Sequence, residues 1–229
     1  MPESDSLNGD MRKRAIVDTN ELDWTASPSG EVERKRVHLV GGSESGQVTS
    51  LVRYLPGASF PEHDHPEGEE IFVLEGTFSD QLGHATAGMH VFNPEGHRHA
   101  PYSKDGCLIL VKLRQYDGES RIYQRIVTDD LEWRPTNTTG VRERVIYEDP
   151  QFPDRTSIEE WGAGATPGPR EFAGGVEIFV IEGRLTAGEV VYGAGTWLRL
   201  PDGTALDVCA AERSVLYVKS GGVVGLRSA

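Results

Sequence analysis

Six of the seven histidines lie between positions 63 and 99, which concentrates imidazole chemistry in one short stretch. His63 and His65 stand two apart, so on a strand both rings point to one face and Asp64 to the other. Glu69 has the same parity, yet on a straight strand its carboxylate would sit about 13 Å beyond His65. Pro66-Glu67-Gly68 is a turn-forming tripeptide, so the chain can fold back and bring the carboxylate beside the imidazoles. His99 must arrive from another strand, delivered by the backbone features at Gly88 and Pro94-Glu95-Gly96. Three neutral imidazoles and one carboxylate form a mixed nitrogen and oxygen donor set. It suits Fe(II), Zn, Mn, Ni or Cu, and the ligands do not select among them. A five- or six-coordinate ion held this way keeps one or two positions for water, dioxygen or a bidentate substrate.

Other polar residues frame this set. His97 shares parity with His99 and is a candidate proton-transfer group, with Tyr102 as a second. Arg53 and Tyr102 are candidates to orient an anionic or carbonyl substrate, although a solvated or structural role competes. His84 and His90 read as surface or strand-packing histidines, and His38 has no evident partner. Cys107 and Cys209 form no CxxC, so they read as small buried hydrophobes rather than a disulfide or a thiolate zinc site.

The elements that must position these residues are strands. Runs such as TSLVRYLPG, EEIFVLEG, MHVFNPEG and CLILVKLRQ are strand length and rich in β-branched and aromatic residues. Gly and Pro punctuate them, and no long helical pattern intervenes. Phe72, Phe92, Phe179 and Trp197 read as core. The expected class is all-β.

The chain is written twice, at an offset of 107 residues. Glu70-Ile71-Phe72-Val73 falls on Glu177-Ile178-Phe179-Val180, Glu75-Gly76 on Glu182-Gly183, and Ala87-Gly88 on Ala194-Gly195. Pro94 and Gly96 fall on Pro201 and Gly203. The triplets LDW (22–24) and LEW (131–133) correspond with a further shift of two. Two tandem copies of one domain follow. Residues 1–15 read as a flexible N-terminus, 16–129 as a metal-binding domain and 130–229 as a degenerate copy. In that copy His63, His65, Glu69 and His99 become Arg170, Phe172, Val176 and Leu206, so no metal is expected there.

The spacing matches a family pattern. Gly57, His63, His65, Glu69 and Gly76 fit the first cupin motif, and Gly88, Pro94, Gly96 and His99 fit the second. Ser103 stands where that motif closes on Asn. With TSLVRYLPGASFPEHDHPEGEEIFVLEGTFSD, NPEGHRHAPYS and GCLILVKLRQ, the chain resembles the ChrR-like cupin group over most of residues 15 to 120, with a weaker echo beyond. The resemblance implies two cupin barrels of the double-stranded β-helix, or jelly-roll, type. It also implies one divalent metal ion per chain on His63, His65, Glu69 and His99, with Zn or Fe(II) foremost.

Two functions follow from that resemblance. One is a non-haem metal-dependent oxygenase-type enzyme acting on a small carbonyl or diketone-like compound. The other is a zinc-bound sensory or regulatory cupin that binds a small molecule or partner without turnover. Anti-sigma proteins of this group bind their sigma factor through a separate helical HxxxCxxC domain. No such segment occurs here, so a sigma-factor partner is not expected, nor is cleavage of acetylacetone by a carboxylate-free site. A formal charge of −13 disfavours nucleic acid and anionic membrane. The first residues lack the apolar stretch of a signal peptide, and no apolar run approaches a bilayer span, so a cytoplasmic protein is expected. A homodimer is the expected assembly.

Overall fold

Alternation decides the fold locally. In Gln47–Tyr54, Glu69–Asp80 and Cys107–Leu113 the residues at every second position (Val52 and Tyr54, Ile71 and Val73, Ile109 and Val111) share one buried cluster with Val32 and Val91. Full burial of each such side chain contributes about 1.5–3 kcal/mol. The computed structural model describes residues 6–27, 30–116 and 120–229, and these contain strands and three short 3-10 turns but no α-helix.

Two compact units result. In the first, a nine-stranded antiparallel sheet runs in the order Ser6–Leu7, Val32–Val40, Gln47–Tyr54, Cys107–Leu113, Glu69–Asp80, Met89–Asn93, Gln124–Val127. Thr25–Ala26, on Val32–Val40, and Gly83–Thr86, on Glu69–Asp80, complete the nine, and His63–Asp64 pairs with Arg98–His99 as a separate ribbon. The second unit repeats the plan. Its seven strands run Arg134–Pro135, Val141–Glu148, Arg155–Trp161, Ser214–Ser220, Val176–Glu182, Thr196–Leu200, Ala15–Asp18. A smaller sheet joins Val190–Gly193, Arg184–Ala187 and Cys209–Ala210. Both units are tandem jelly rolls of curled sheets rather than closed barrels. Phe72, Phe92, Phe179 and Trp197 are buried, as core residues should be.

The first and last strands depart from the order of the chain. Shifted like the LDW and LEW triplets, Ala15–Asp18 corresponds to Gln124–Val127, and the 3-10 turn Thr19–Glu21 to Thr128–Asp130. Each of these strands precedes one copy yet pairs with the other: Ala15–Asp18 with Thr196–Arg199, and Gln124–Val127 with Met89–Phe92. The compact units are accordingly residues 1–9, 22–128 and 229, and residues 10–21 with 129–228.

The N-terminal segment, expected to be flexible up to residue 15 ahead of a first domain from residue 16, is described from residue 6 onward. Residues 1–5 of that segment lie outside the described residues. Ser6–Leu7 pairs with Leu39 and Val40, and Met11 and Ala15 are buried. The fully buried Arg199 donates to the carbonyls of Asp10 and Lys13 at 3.1 and 3.4 Å, so the segment satisfies a guanidinium as it covers a sheet edge.

Candidate metal centre

Strand pairing gathers the histidines. His63 lies directly opposite His99 across the short antiparallel ribbon, which places the two rings 5.1 Å apart, and His65 follows two residues on. The turn at Pro66-Glu67-Gly68 has both Glu67 and Gly68 in the left-handed region, with the Gly68 amide donating to the His65 carbonyl. The chain thereby doubles back, and Glu69 opens the next strand beside the imidazoles. The ligand nitrogens of His63, His65 and His99 lie within 4.8 Å of one another. Glu69 Oε2 is 3.5 Å from His65 Nε2 and 3.6 Å from His99 Nε2.

A further layer of contacts fixes the tautomers. His63 Nδ1 donates to the Pro61 carbonyl at 2.8 Å, and His99 Nδ1 faces Asp80 Oδ2 at 3.4 Å. Both contacts orient the rings so that Nε2 turns toward the cluster. Asp80 is itself gripped by Arg125 Nη2, at 2.9 Å from each oxygen, and by the Leu82 amide. Burial would raise the Asp80 carboxyl, but His99, the Leu82 amide and Arg125 outweigh it and hold it below the usual range. Asn93 Nδ2 donates to Glu69 Oε2 at 2.8 Å.

His65 Nε2 and His99 Nε2 are 2.9 Å apart. Burial drives the His65 pKa down to about 4, against the pull of Glu69, and the neighbouring histidines lower it further. Burial favours the neutral His65 ring that ligation needs, and three ring nitrogens converge beside a carboxylate, so the donor set fits a divalent ion.

The cluster opens onto a cavity of about 410 Å³. Its wall includes Val52, Tyr54, Phe60, Ile109 and Val111 as well as His63, His65, Glu69 and His99. Tyr54 was not anticipated from the sequence; its alternation with Val52 was the available signal. Burial first, and then the charge of Glu69, push its hydroxyl well above the ordinary tyrosine value, so it remains a donor.

The other candidates stand elsewhere. His97 is stacked on Tyr123 with ring centroids 5.0 Å apart, behind the cluster rather than on the cavity wall. The Tyr102 side chain is exposed, and its backbone bridges Ser59 and Ser79. Arg53 points to the opposite face from Val52 and Tyr54, where it pairs with Glu33 and covers the Trp24 ring. His84 Nδ1 meets Ser79 Oγ at 2.9 Å, and His90 is buried against Glu70 at 2.8 Å. His38 Nε2 meets Gln47 at 3.0 Å. Ser103 donates to the Thr77 carbonyl at 2.7 Å.

In the second unit the backbone that gathered the ligands survives. Arg170 and Leu206 exchange amide–carbonyl bonds, as a β-bridge at the positions of His63 and His99. The chemistry is replaced. Arg170 makes a bidentate pair with Glu159 at 2.7 and 2.9 Å, and its guanidinium lies over Trp161 and Phe172. Val176 and Leu206 join a core around Trp161, the counterpart of Tyr54.

Comparison with known proteins finds one domain family twice along the chain. The family model for the ChrR cupin-like domain matches the chain twice, over residues 12–117 and 123–224. The dimethylsulfoniopropionate lyase DddQ of Ruegeria pomeroyi is 34% identical over 89 residues, 35% of this chain and 43% of that protein. The match therefore spans less than half of that curated relative. Among solved structures, a Nostoc punctiforme protein proposed to be a dioxygenase is similar at a TM-score of 0.74 with 15% identity, covering 95% of this chain and 86% of that one. The nickel(II) complex of the bacterial pirin YhhW from Escherichia coli is similar at a TM-score of 0.63 with 16% identity, covering 91% and 98%. A Bacillus subtilis oxalate decarboxylase variant gives 0.63 at 13% identity, covering 90% and 77%.

Proposed function

The chain belongs to the ChrR cupin-like family, and from that premise we propose that it is a metal-dependent enzyme with one active centre, in the first unit. His63, His65, Glu69 and His99 hold one divalent ion, Zn or Fe(II), and the substrate is a small carbonyl compound. The observation that carries this reading is the opening of the cluster onto the cavity of about 410 Å³. A structural ion needs a closed shell, whereas a site facing such a space admits a small molecule. When bound, the ion supplies Lewis-acid polarisation of a substrate oxygen and an open coordination position.

The chain's own residues do the positioning. Pro61 and Asp80 hold the Nδ1 protons of His63 and His99, and Asn93 holds Glu69. Tyr54, kept protonated, is a hydroxyl donor available to a substrate oxygen. Phe60, Ile109 and Val111 limit the water that competes for it. His97 and Tyr102 are given no part in proton transfer, because neither lines the cavity.

Metal analysis of protein purified without chelators or nickel resin comes first, followed by oxygen uptake of Fe(II)-loaded protein with small diketones and hydroxyketones. Oxygen consumption that His99→Ala abolishes supports an oxygenase. The likeness to the dimethylsulfoniopropionate lyase favours a second chemistry at the same centre, removal of a proton and elimination without dioxygen. Release of dimethyl sulfide from that compound under anaerobic conditions would select it. Tight zinc with ligand binding and no turnover would select the sensory role, and failure to take up any metal overturns the proposal.

A further inference from the structure

The cavity has a second chemical feature. By alternation Val32, Arg34 and Arg36 share one face of Val32–Val40, and all three line the cavity that holds the histidine cluster. The two guanidinium side chains are each only 20% exposed. Both close on one carboxylate. Arg34 Nη1 lies 2.8 Å from each oxygen of Glu44, and Arg36 Nη2 lies 3.1 Å from Glu44 Oε1 and 3.0 Å from the Ser43 carbonyl. Glu44 stands on the short loop after this strand and is 53% exposed. Two sheltered cations thus share one exposed anion, which leaves a positive excess in a chain whose formal charge is −13.

The loop carboxylate is the partner that can move, because the arginines are fixed to a sheet and Glu44 is not. The other charges on the same wall are engaged elsewhere or add to the excess: Arg114 adds to it, Glu62 is tied to Arg98 at 3.1 Å, Asp64 is exposed on the ribbon, and Glu69 is turned to the histidine cluster, where Asn93 holds it at 2.8 Å.

The internal repeat supplies an independent observation. Arg34 faces Val52 and Arg36 faces Ser50; in the second unit the corresponding pairs are Glu143 with Glu159 and Val145 with Ser157. The second unit has therefore lost both arginines as well as all four candidate ligands, although these sit on different strands and the strand pairing is kept. Joint loss is what two halves of one binding site predict.

We propose that Arg34 and Arg36 form an anion subsite for a carboxylate of the substrate, with Glu44 as its exchangeable internal counter-ion. Resting on the metal-centre reading for its other end, the substrate class is a small acid. It carries an oxygen-chelating group at one end and a carboxylate at the other. A planar guanidinium matches a carboxylate with two parallel hydrogen bonds, so the subsite selects charge and orientation together.

The test is a titration of Co(II)-loaded protein, followed by its visible absorption, with oxaloacetate, 2-oxoglutarate and 2-oxoadipate against the monoacids of equal chain length. In wild type the best diacid should bind at least about tenfold tighter than its matching monoacid. In the double variant Arg34→Gln with Arg36→Gln the preference should fall to within about twofold, with Co(II) and monoacid affinities unchanged. Glu44→Gln should strengthen diacid binding. Co(II) uptake without a diacid preference at any length overturns the subsite and leaves the metal centre standing. If Co(II) is not taken up, the metal reading fails and the subsite is judged on metal-free protein. A larger rise in Tm with glutarate, at matched ionic strength, in wild type than in the double variant supports it, and equal rises overturn it.

Discussion

The two units share a plan of strands and turns and differ in what fills them. At the same bridge the first unit places His63 opposite His99 and the second places Arg170 opposite Leu206. Beside it Tyr54 gives way to Trp161, and the space becomes a packed core closed by the Arg170–Glu159 pair. The difference teaches that this backbone carries no chemistry of its own. It brings a fixed set of positions together, and side chains make them either converging lone pairs or packed apolar surface.

The largest expected effect separates the units by metal. Wild type should bind about one divalent ion per chain, and His65→Ala should lose at least about a hundredfold in affinity while its circular dichroism stays that of a folded β protein. Arg170→Ala should leave metal content unchanged; two ions per chain, with one lost on altering the second unit, would break the comparison.

Next comes the second unit's own stake in its replacement. Arg170→Ala leaves the buried Glu159 with the Trp161 indole N–H but no charged partner and should cost about 3–5 kcal/mol in urea unfolding, whereas Arg170→Met with Glu159→Leu should cost far less. Equal losses in the two variants would mean that the ion pair does not close this core.

A smaller effect follows pH. In metal-free protein burial brings the His65 ring down to a pKa of about 4, from the ordinary histidine value of 6.5. As pH falls through 6.5 the unfolded chain takes up this proton, and the folded chain does not until about 4. Stability is therefore present above that window and declines across it, by up to about 3 kcal/mol. His65→Phe, which installs the side-chain type of Phe172, should flatten that decline, as denaturation at several pH values would show.

The smallest effect should be the same in both units. Gly76 and Gly183 have φ of 72° and 76°, and an added Cβ would lie 2.2 Å from the Gly106 carbonyl oxygen and 2.3 Å from that of Arg213. Gly76→Ala and Gly183→Ala should each destabilise by about 1–3 kcal/mol. Clearly unequal values would show that the shared backbone is not equally constrained.

Much of the candidate site was legible because its signals are local. Parity put His63 and His65 on one face, and the Pro66-Glu67-Gly68 turn accounted for Glu69. That His99 would stand opposite His63 depends on strand pairing, which parity cannot supply. Arg53 was a candidate to orient substrate, yet the guanidiniums on the cavity wall belong to Arg34, Arg36 and Arg114. Choosing between them requires knowing which face of each strand turns inward, and Val32 beside Arg34 was the only local clue. The repeat was plain in the sequence. Its extra shift of two at LDW and LEW was visible too, but the pairing of the strands ahead of those triplets is set by free sheet edges.

Those exchanged leading strands make the two halves mutual donors. A cut after Asp129 would not release two self-sufficient pieces: residues 130–229 would expose the flank of Thr196–Leu200 that Ala15–Asp18 now covers. That fragment should seek a strand from elsewhere, and a peptide of residues 10–21 added in trans is its natural complement. Read as ancestry, the arrangement is what a pair of single-copy molecules trading their first strands becomes once one chain encodes both. Each copy could then lose its own chemistry, but not the strand it lends.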